Sequence, residues 1–388
     1  MSMLADFGWV VLASGTAIVA TALLMARIAT HRTPPTLHHH PESRLARTLR
    51  NNMKTLSRQF LPTWWALNGH AQTVFGVILR TNPDVAYERE LVGMSDGGQV
   101  ALDWHDIPDM EESTPLVVVL HGLTGGSNEN YVKHIVLEAE RNKWRTVVFN
   151  NRGCGNSVAI TPRGFSATFT DDIAEVVQHV HAKHPKAPLF AVGVSLGSMI
   201  LIKYLAERGT STALQAAVAV SNPWDIIGST KSLESFPSLY LYNQRLAKNL
   251  KNLIFRHRHL FDAAPEKWFT IEDVEKCRTI RDFDQTVVVP MFGFASLQEY
   301  YSQASSVNHL PKVQIPLLCI NAADDPFSPV QGIPFAAFEA NPNALLCLTP
   351  TGGHIGFSES HLPPFGSSFV ESALGEFLHC MLAHQKAA

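Results

Sequence analysis

Pro188-Leu189-Phe190-Ala191-Val192-Gly193-Val194-Ser195-Leu196-Gly197 is the stretch whose reading decides the fold. Its first half is an unbroken apolar run, as expected of a strand buried on both faces. The residues after Gly197, Ser198-Met199-Ile200-Leu201-Ile202-Lys203-Tyr204-Leu205-Ala206, read as a helix. Ser195 thus stands at a strand-to-helix corner. Glycines two before and two after let the chain pass closely, so the turn presents the serine hydroxyl.

The surrounding chain repeats the strand–helix rhythm. Tyr87 to Ile107 reads as two strands around a Ser95-Asp96-Gly97-Gly98 turn. Leu116–Leu120, Thr146–Phe149, Ala216–Val220, Pro316–Ile320 and Ala344–Leu348 are short apolar runs, with helical spacing over 130–143, 169–184 and 368–383. Such alternation predicts an α/β fold: a mostly parallel central sheet with helices on both faces. Residues 225–310 lose the rhythm, read as mostly helical, and fall where a cap would sit.

Of the 388 residues 46% are hydrophobic and 17% charged, which suits a folded body carrying an additional apolar segment. That segment runs from Phe7 to Ala26, twenty residues without a charge. As a helix it spans about 30 Å, the thickness of a bilayer core. Only Asp6 precedes it, where a cleaved signal peptide wants positive charge. Arg27, Arg32, Arg44, Arg47, Arg50, Lys54 and Arg58 come after it, which places the body on the cytosolic side. The expected organisation is a transmembrane anchor over 1–30, a basic linker over 31–60 that includes His38-His39-His40, and a catalytic domain over 61–388. The expected protein is single-pass, in the endoplasmic reticulum or another internal membrane. The net charge of −3 gives no reason to expect a nucleic-acid partner, and nothing points to an obligate protein partner. The five cysteines have no metal-ligand spacing, and with no proline-free Asn-x-Ser/Thr acceptor present they fit a reducing, cytosol-facing environment.

A serine hydroxyl attacks an ester only with a base to take its proton and a carboxylate to orient that base. In α/β-hydrolases the order is serine, acid, histidine. The acid lies in Ile320-Asn321-Ala322-Ala323-Asp324-Asp325-Pro326, just past a strand's carboxyl end. Asp324 is favoured over Asp325, because such acids commonly fall three residues after a small turn residue, here Asn321. His354, in Thr351-Gly352-Gly353-His354-Ile355-Gly356-Phe357 after the last strand, is the base. His121-Gly122-Leu123-Thr124-Gly125-Gly126 comes after an earlier strand, and the backbone N–H groups of Leu123 and Leu196 form the expected oxyanion hole. Each such donor contributes roughly 3–4 kcal/mol of transition-state stabilisation. The loop lacks the endings of nucleotide-binding motifs. Asn150-Asn151-Arg152-Gly153 either shapes the pocket wall or is a structural loop. His257 and Asp262 share a His-x-x-x-x-Asp spacing that chance explains among 18 histidines, and Phe292-Gly293-Phe294 with Tyr300-Tyr301 either line an acyl channel or fill core. No metal or organic cofactor is required.

Asn68-Gly69-His70-Ala71-Gln72-Thr73 resembles the Asn-x-His-x-Gln-Thr signature of the YheT-like (AB-hydrolase type 4) α/β-hydrolases. The 121–125, 149–153, 279–284 and 352–357 segments are similar to those of α/β-hydrolase domain-containing proteins one and three. The resemblance runs from about residue 60 onward. It implies a membrane-anchored serine hydrolase of carboxylic esters, in the nearest relatives of phosphatidylcholines, with Ser195, Asp324 and His354 as the triad. It also implies a body outside the cytosol, the reverse of what the flanking charges give; we follow the charges. The competing functions are a lipid- or steroid-binding protein on a hydrolase scaffold, and a lipid acyltransferase with the same three residues.

Overall fold

The computed structural model describes residues 32–359, 362–363 and 365–387. The proposed anchor and its flank up to residue 31 lie outside them, and among the described residues no helix is long and apolar enough to cross a membrane.

Nine strands form one sheet: β1 (Thr36–His38), β2 (Glu88–Gly93), β3 (Gln99–His105), β4 (Leu116–Leu120), β5 (Arg145–Asn150), β6 (Leu189–Val194), β7 (Ala216–Val220), β8 (Leu317–Ala322) and β9 (Ala344–Thr349). The order is β1-β9-β8-β7-β6-β4-β5-β3-β2. β4 to β9 pair in parallel, and the antiparallel pairings are confined to β2–β3, β3–β5 and β1–β9. The pleat divides each central strand between two cores. Leu116, Val118 and Leu120 of β4 face one, Val117 and Val119 the other.

The first core is covered by α4 (Asp171–Lys183), α5 (Leu196–Arg208) and the cap. The second is covered by α1 (Arg44–Asn52), α3 (Asn130–Arg141) and α9 (Phe369–Ala387). Helix α2 (Gly69–Ile78) crosses the loop after β9. The cap between β7 and β8 contains α6 (Ile226–Glu234), α7 (Gln244–Arg256), α8 (Leu297–Ala304), shorter helices and two π-helical turns.

The expected linker over 31–60 is corrected by this arrangement. β1 adds to the sheet edge beside β9, and α1 packs Ala46 and Leu49 into the second core with Met53, Leu56 and Phe60 behind them. Ser43 caps α1 by accepting the Ala46 N–H at 3.0 Å. The basic residues counted as linker charge, Arg44, Arg47 and Arg50, are the exposed face of an amphipathic helix.

Candidate active site

Ser195 sits between the last residue of β6 and the first of α5 with φ 54° and ψ −119°. A non-glycine residue in that region costs of order 1–3 kcal/mol and persists only where its surroundings fix it. The Ser195 N–H donates to Val220 O at 2.9 Å, and its carbonyl accepts from Ser198 and Met199. Both flanking glycines are sterically required. A Cβ at Gly193 would lie 2.6 Å from Gly197 O, and one at Gly197 2.3 Å from Leu120 O.

The His354 ring reaches the same corner from the loop after β9. Its Nε2 is 2.9 Å from Ser195 Oγ. Its Nδ1–H donates to a carboxylate, at 2.9 Å to Oδ2 and 3.1 Å to Oδ1, and that carboxylate is Asp325. The preference for Asp324 is thereby corrected. Asp324 accepts the Gly353 N–H at 2.9 Å and the Thr351 hydroxyl, so it braces the loop that carries His354 instead of the ring. Burial pushes the Asp324 carboxyl above its usual range. Backbone geometry makes the choice. Asp325 Oδ1 accepts the N–H groups of Phe327 (2.7 Å) and Ser328 (3.2 Å), a local turn that aims its carboxylate at the ring. Ser195, His354 and Asp325 are all buried.

The Asn68–Thr73 segment, which the sequence marks without giving it a role, clamps the histidine loop. Thr73 Oγ1 accepts the His354 N–H at 2.8 Å while donating to Gly69 O at 2.6 Å. Gln72 accepts the Ser358 N–H at 2.9 Å. A Cβ on Gly69 would fall 1.8 Å from Asp324 O, and one on Gly353 2.2 Å from Gly69 O, so α2 and both functional loops meet backbone to backbone. The Phe327 ring stacks on the His354 imidazole, centroids 4.0 Å apart and planes 12° apart. Phe327 in turn contacts Tyr242 of the cap, whose hydroxyl is 3.0 Å from His70 Nδ1.

The loop after β4 crosses the nucleophile closely: a Cβ at Gly122 would lie 3.4 Å from Ser195 Cβ. The Gly122 N–H donates to the Tyr131 hydroxyl at 2.8 Å. Next to it, neither the Leu123 nor the Leu196 N–H has a protein acceptor among the described residues. His121 is fixed as a neutral ring. It donates from Nδ1 to Gly122 O (2.6 Å) and accepts the Asn151 N–H at Nε2 (3.2 Å), and burial lowers its pKa to about 4. In Asn150-Asn151-Arg152-Gly153 the Asn150 side chain donates to Asp103 and Arg152 is held between Asp96 and Asp172. Gly153 and Gly155 also line a recess of about 210 Å³ between the Thr124–Gly126 loop and α7. His257 and Asp262 do not meet. The histidine bonds to Leu253 O and the Ala159 N–H, and Asp262 lies beside Arg258. Phe292, Phe294, Tyr300 and Tyr301 pack into the first core.

This sheet, corner and loop order define an α/β hydrolase. The family model for the alpha/beta hydrolase fold matches residues 115–360, and the chain belongs to that family. It is 37% identical over 344 residues to human phospholipase ABHD3, covering 87% of this chain and 83% of that protein. A monoacylglycerol lipase of Saccharomyces cerevisiae is 36% identical over 251 residues, 64% of this chain and 56% of the lipase. Among solved structures, the Pyrococcus furiosus esterase Pf2001 superposes with a TM-score of 0.50 at 16% identity, over 77% of this chain and 97% of its own, a likeness of fold alone.

Proposed function

We propose that the protein is a membrane-anchored serine hydrolase that cleaves carboxylic esters of lipids, a phospholipase or acylglycerol lipase of the YheT-like group. The observation that carries this reading is the continuous hydrogen-bonded path Ser195 Oγ–His354–Asp325, two contacts of 2.9 Å in series. Asp325 holds the proton on Nδ1, so Nε2 accepts the Ser195 proton as the hydroxyl attacks the ester carbonyl. The Leu123 and Leu196 N–H groups receive the oxyanion. His354 then returns the proton to the departing alcohol, and water attacks the acyl-enzyme with His354 again as base. The lipid substrate is supported by the named activities of the human and yeast relatives. The uncharged run Phe7–Ala26 supports the anchor, and the basic residues after it a body on the cytosolic side; the membrane proposed is an internal one.

The test is labelling by a fluorophosphonate probe, coupled to release of fatty acid from phosphatidylcholine and from monoacylglycerol. The expected outcome is labelling and release, both abolished in Ser195→Ala. Labelling that survives the substitution, or a wild-type protein that is neither labelled nor active, refutes the reading.

A further inference from the structure

The cap carries a surface that ester hydrolysis does not use. Between α6 and α7 the chain leaves Phe236 85% exposed, Tyr240 64% and Leu241 43%. Three large apolar side chains exposed within six residues of chain, instead of scattered singly, mark a contact site. α7 continues directly from them. It buries Ala247, Leu250 and Ile254 against the cap core and turns Arg245, Lys248 and Arg256 to solvent. Its sequence holds four cations and no carboxylate. Lys251 bonds to Glu275 O; Arg245, Lys248 and Arg256 have no carboxylate partner among the described residues. Positions 241, 245, 248, 252 and 256 keep helical spacing, so an apolar tip continues into a cationic stripe along one side.

We propose that Phe236–Arg256 is a membrane-docking element distinct from the N-terminal apolar run, and that its partner is the surface of an anionic bilayer. Apolar side chains at one end and basic ones along the flank suit an element that docks by its tip, with the apolar side chains at the acyl boundary and the cations among the headgroups. The cations gather anionic headgroups and hold the tip at the acyl boundary. The position suits a lipid substrate. Tyr242, next to the tip, contacts Phe327, which stacks on His354. α7 also supplies Asn252 and Arg256 to the recess beside the Thr124–Gly126 loop. Docking thus sets the mouth of the site against the bilayer. That consequence rests on the lipid-hydrolase reading; the docking itself does not.

All five native cysteines are buried, so Tyr240→Cys supplies a single accessible thiol for an environment-sensitive fluorophore. The full-length labelled protein is reconstituted into vesicles of phosphatidylcholine alone, or of phosphatidylcholine with phosphatidylserine. The expected result is a blue-shifted emission, quenched by brominated acyl chains and several-fold stronger with phosphatidylserine. Arg245→Glu with Lys248→Glu should abolish that gain and slow hydrolysis of vesicle lipid at least five-fold, while activity on a water-soluble ester stays within two-fold. A label that remains in water on both vesicle types overturns the proposal, whatever the enzyme hydrolyses. A blue shift without any hydrolysis upholds docking and removes only the lipase reading.

Discussion

Replacing each of the two adjacent carboxylates by its amide separates their roles. In Asp325→Asn the backbone N–H groups of Phe327 and Ser328 both need the acceptor they now find at Oδ1. They pin the amide oxygen there and place the NH₂ where Oδ2 stands, 2.9 Å from His354 Nδ1. That NH₂ only donates and lies nearer to Nδ1 than the pinned oxygen does, at 3.1 Å, so Nδ1 is favoured as acceptor and the ring proton moves to Nε2. It then points at Ser195 Oγ, and the serine has no base. A wrong tautomer in otherwise intact geometry lowers kcat by about 10⁴, or about 5 kcal/mol. Asp324→Asn differs. Its oxygen can still accept the Gly353 N–H, and its NH₂ can donate to the Thr351 hydroxyl, so the loop keeps its shape. We expect a loss below ten-fold, less than about 1.4 kcal/mol. The assay is kcat/KM on a water-soluble nitrophenyl ester, with the fluorophosphonate labelling rate as a second readout and thermal unfolding as a folding control. A folded Asp324→Asn enzyme as impaired as Asp325→Asn, or an Asp325→Asn enzyme keeping more than a tenth of the activity, would refute the assignment.

Two further outcomes test the frame around the site. Thr73→Val removes the acceptor of the buried His354 N–H, which costs about 1–3 kcal/mol when left unpaired; kcat should fall by ten-fold or more with KM little changed, Thr73→Ser should restore it, and equal activity in Thr73→Val and wild type would show that α2 does not position the histidine. Asp284, buried in the cap with the Tyr301 hydroxyl 3.1 Å away, has its pKa raised by burial from 3.8 to about 7. A raised folded-state value means that stability is full below about pH 4 and falls as the pH rises through 7, by up to about 4 kcal/mol. Asp284→Asn should therefore flatten the melting temperature between pH 4 and 7 and exceed wild type at pH 8; parallel melting curves for the two proteins would discount the effect.

Much of this was legible in the sequence because parallel strands buried on both faces read as plain apolar runs, as Leu116–Leu120 does. The Ser195 corner was legible because two backbone contacts below 3 Å admit nothing but glycine at 193 and 197. His354 was legible from its place after the last strand. The carboxylate was misread because both aspartates lie at the same strand end, and only the turn through Phe327 and Ser328 decides which one points inward. The turn has a local signature in Asp325-Pro326-Phe327-Ser328, an aspartate whose side chain accepts from the N–H groups two and three residues on. Residues 36–60 were misread for a different reason. Their charge was counted along the chain, whereas on α1 the arginines share one face and Ala46 and Leu49 another. The role of Thr73 had no local signal at all, since its partner is 281 positions away.

The placement of α2 also says what the catalytic unit is. Ser195 is held by the sheet itself, through β6, β7 and α5. The histidine loop leans on more than the sheet: besides Ser221 at the end of β7 and Asp324 past β8, its backbone bonds go to Thr73 and Gln72 of α2. One wall of the base's seat is therefore built from chain that precedes the whole parallel sheet, and a second is the Phe327 ring, which Tyr242 of the cap backs. Displacing the cap tip shifts Tyr242, and with it the two partners it touches, His70 of α2 and Phe327 on the imidazole face. The base of the proton relay is thus seated on α2 and the cap as well as on the strand ends that carry Ser221 and Asp325.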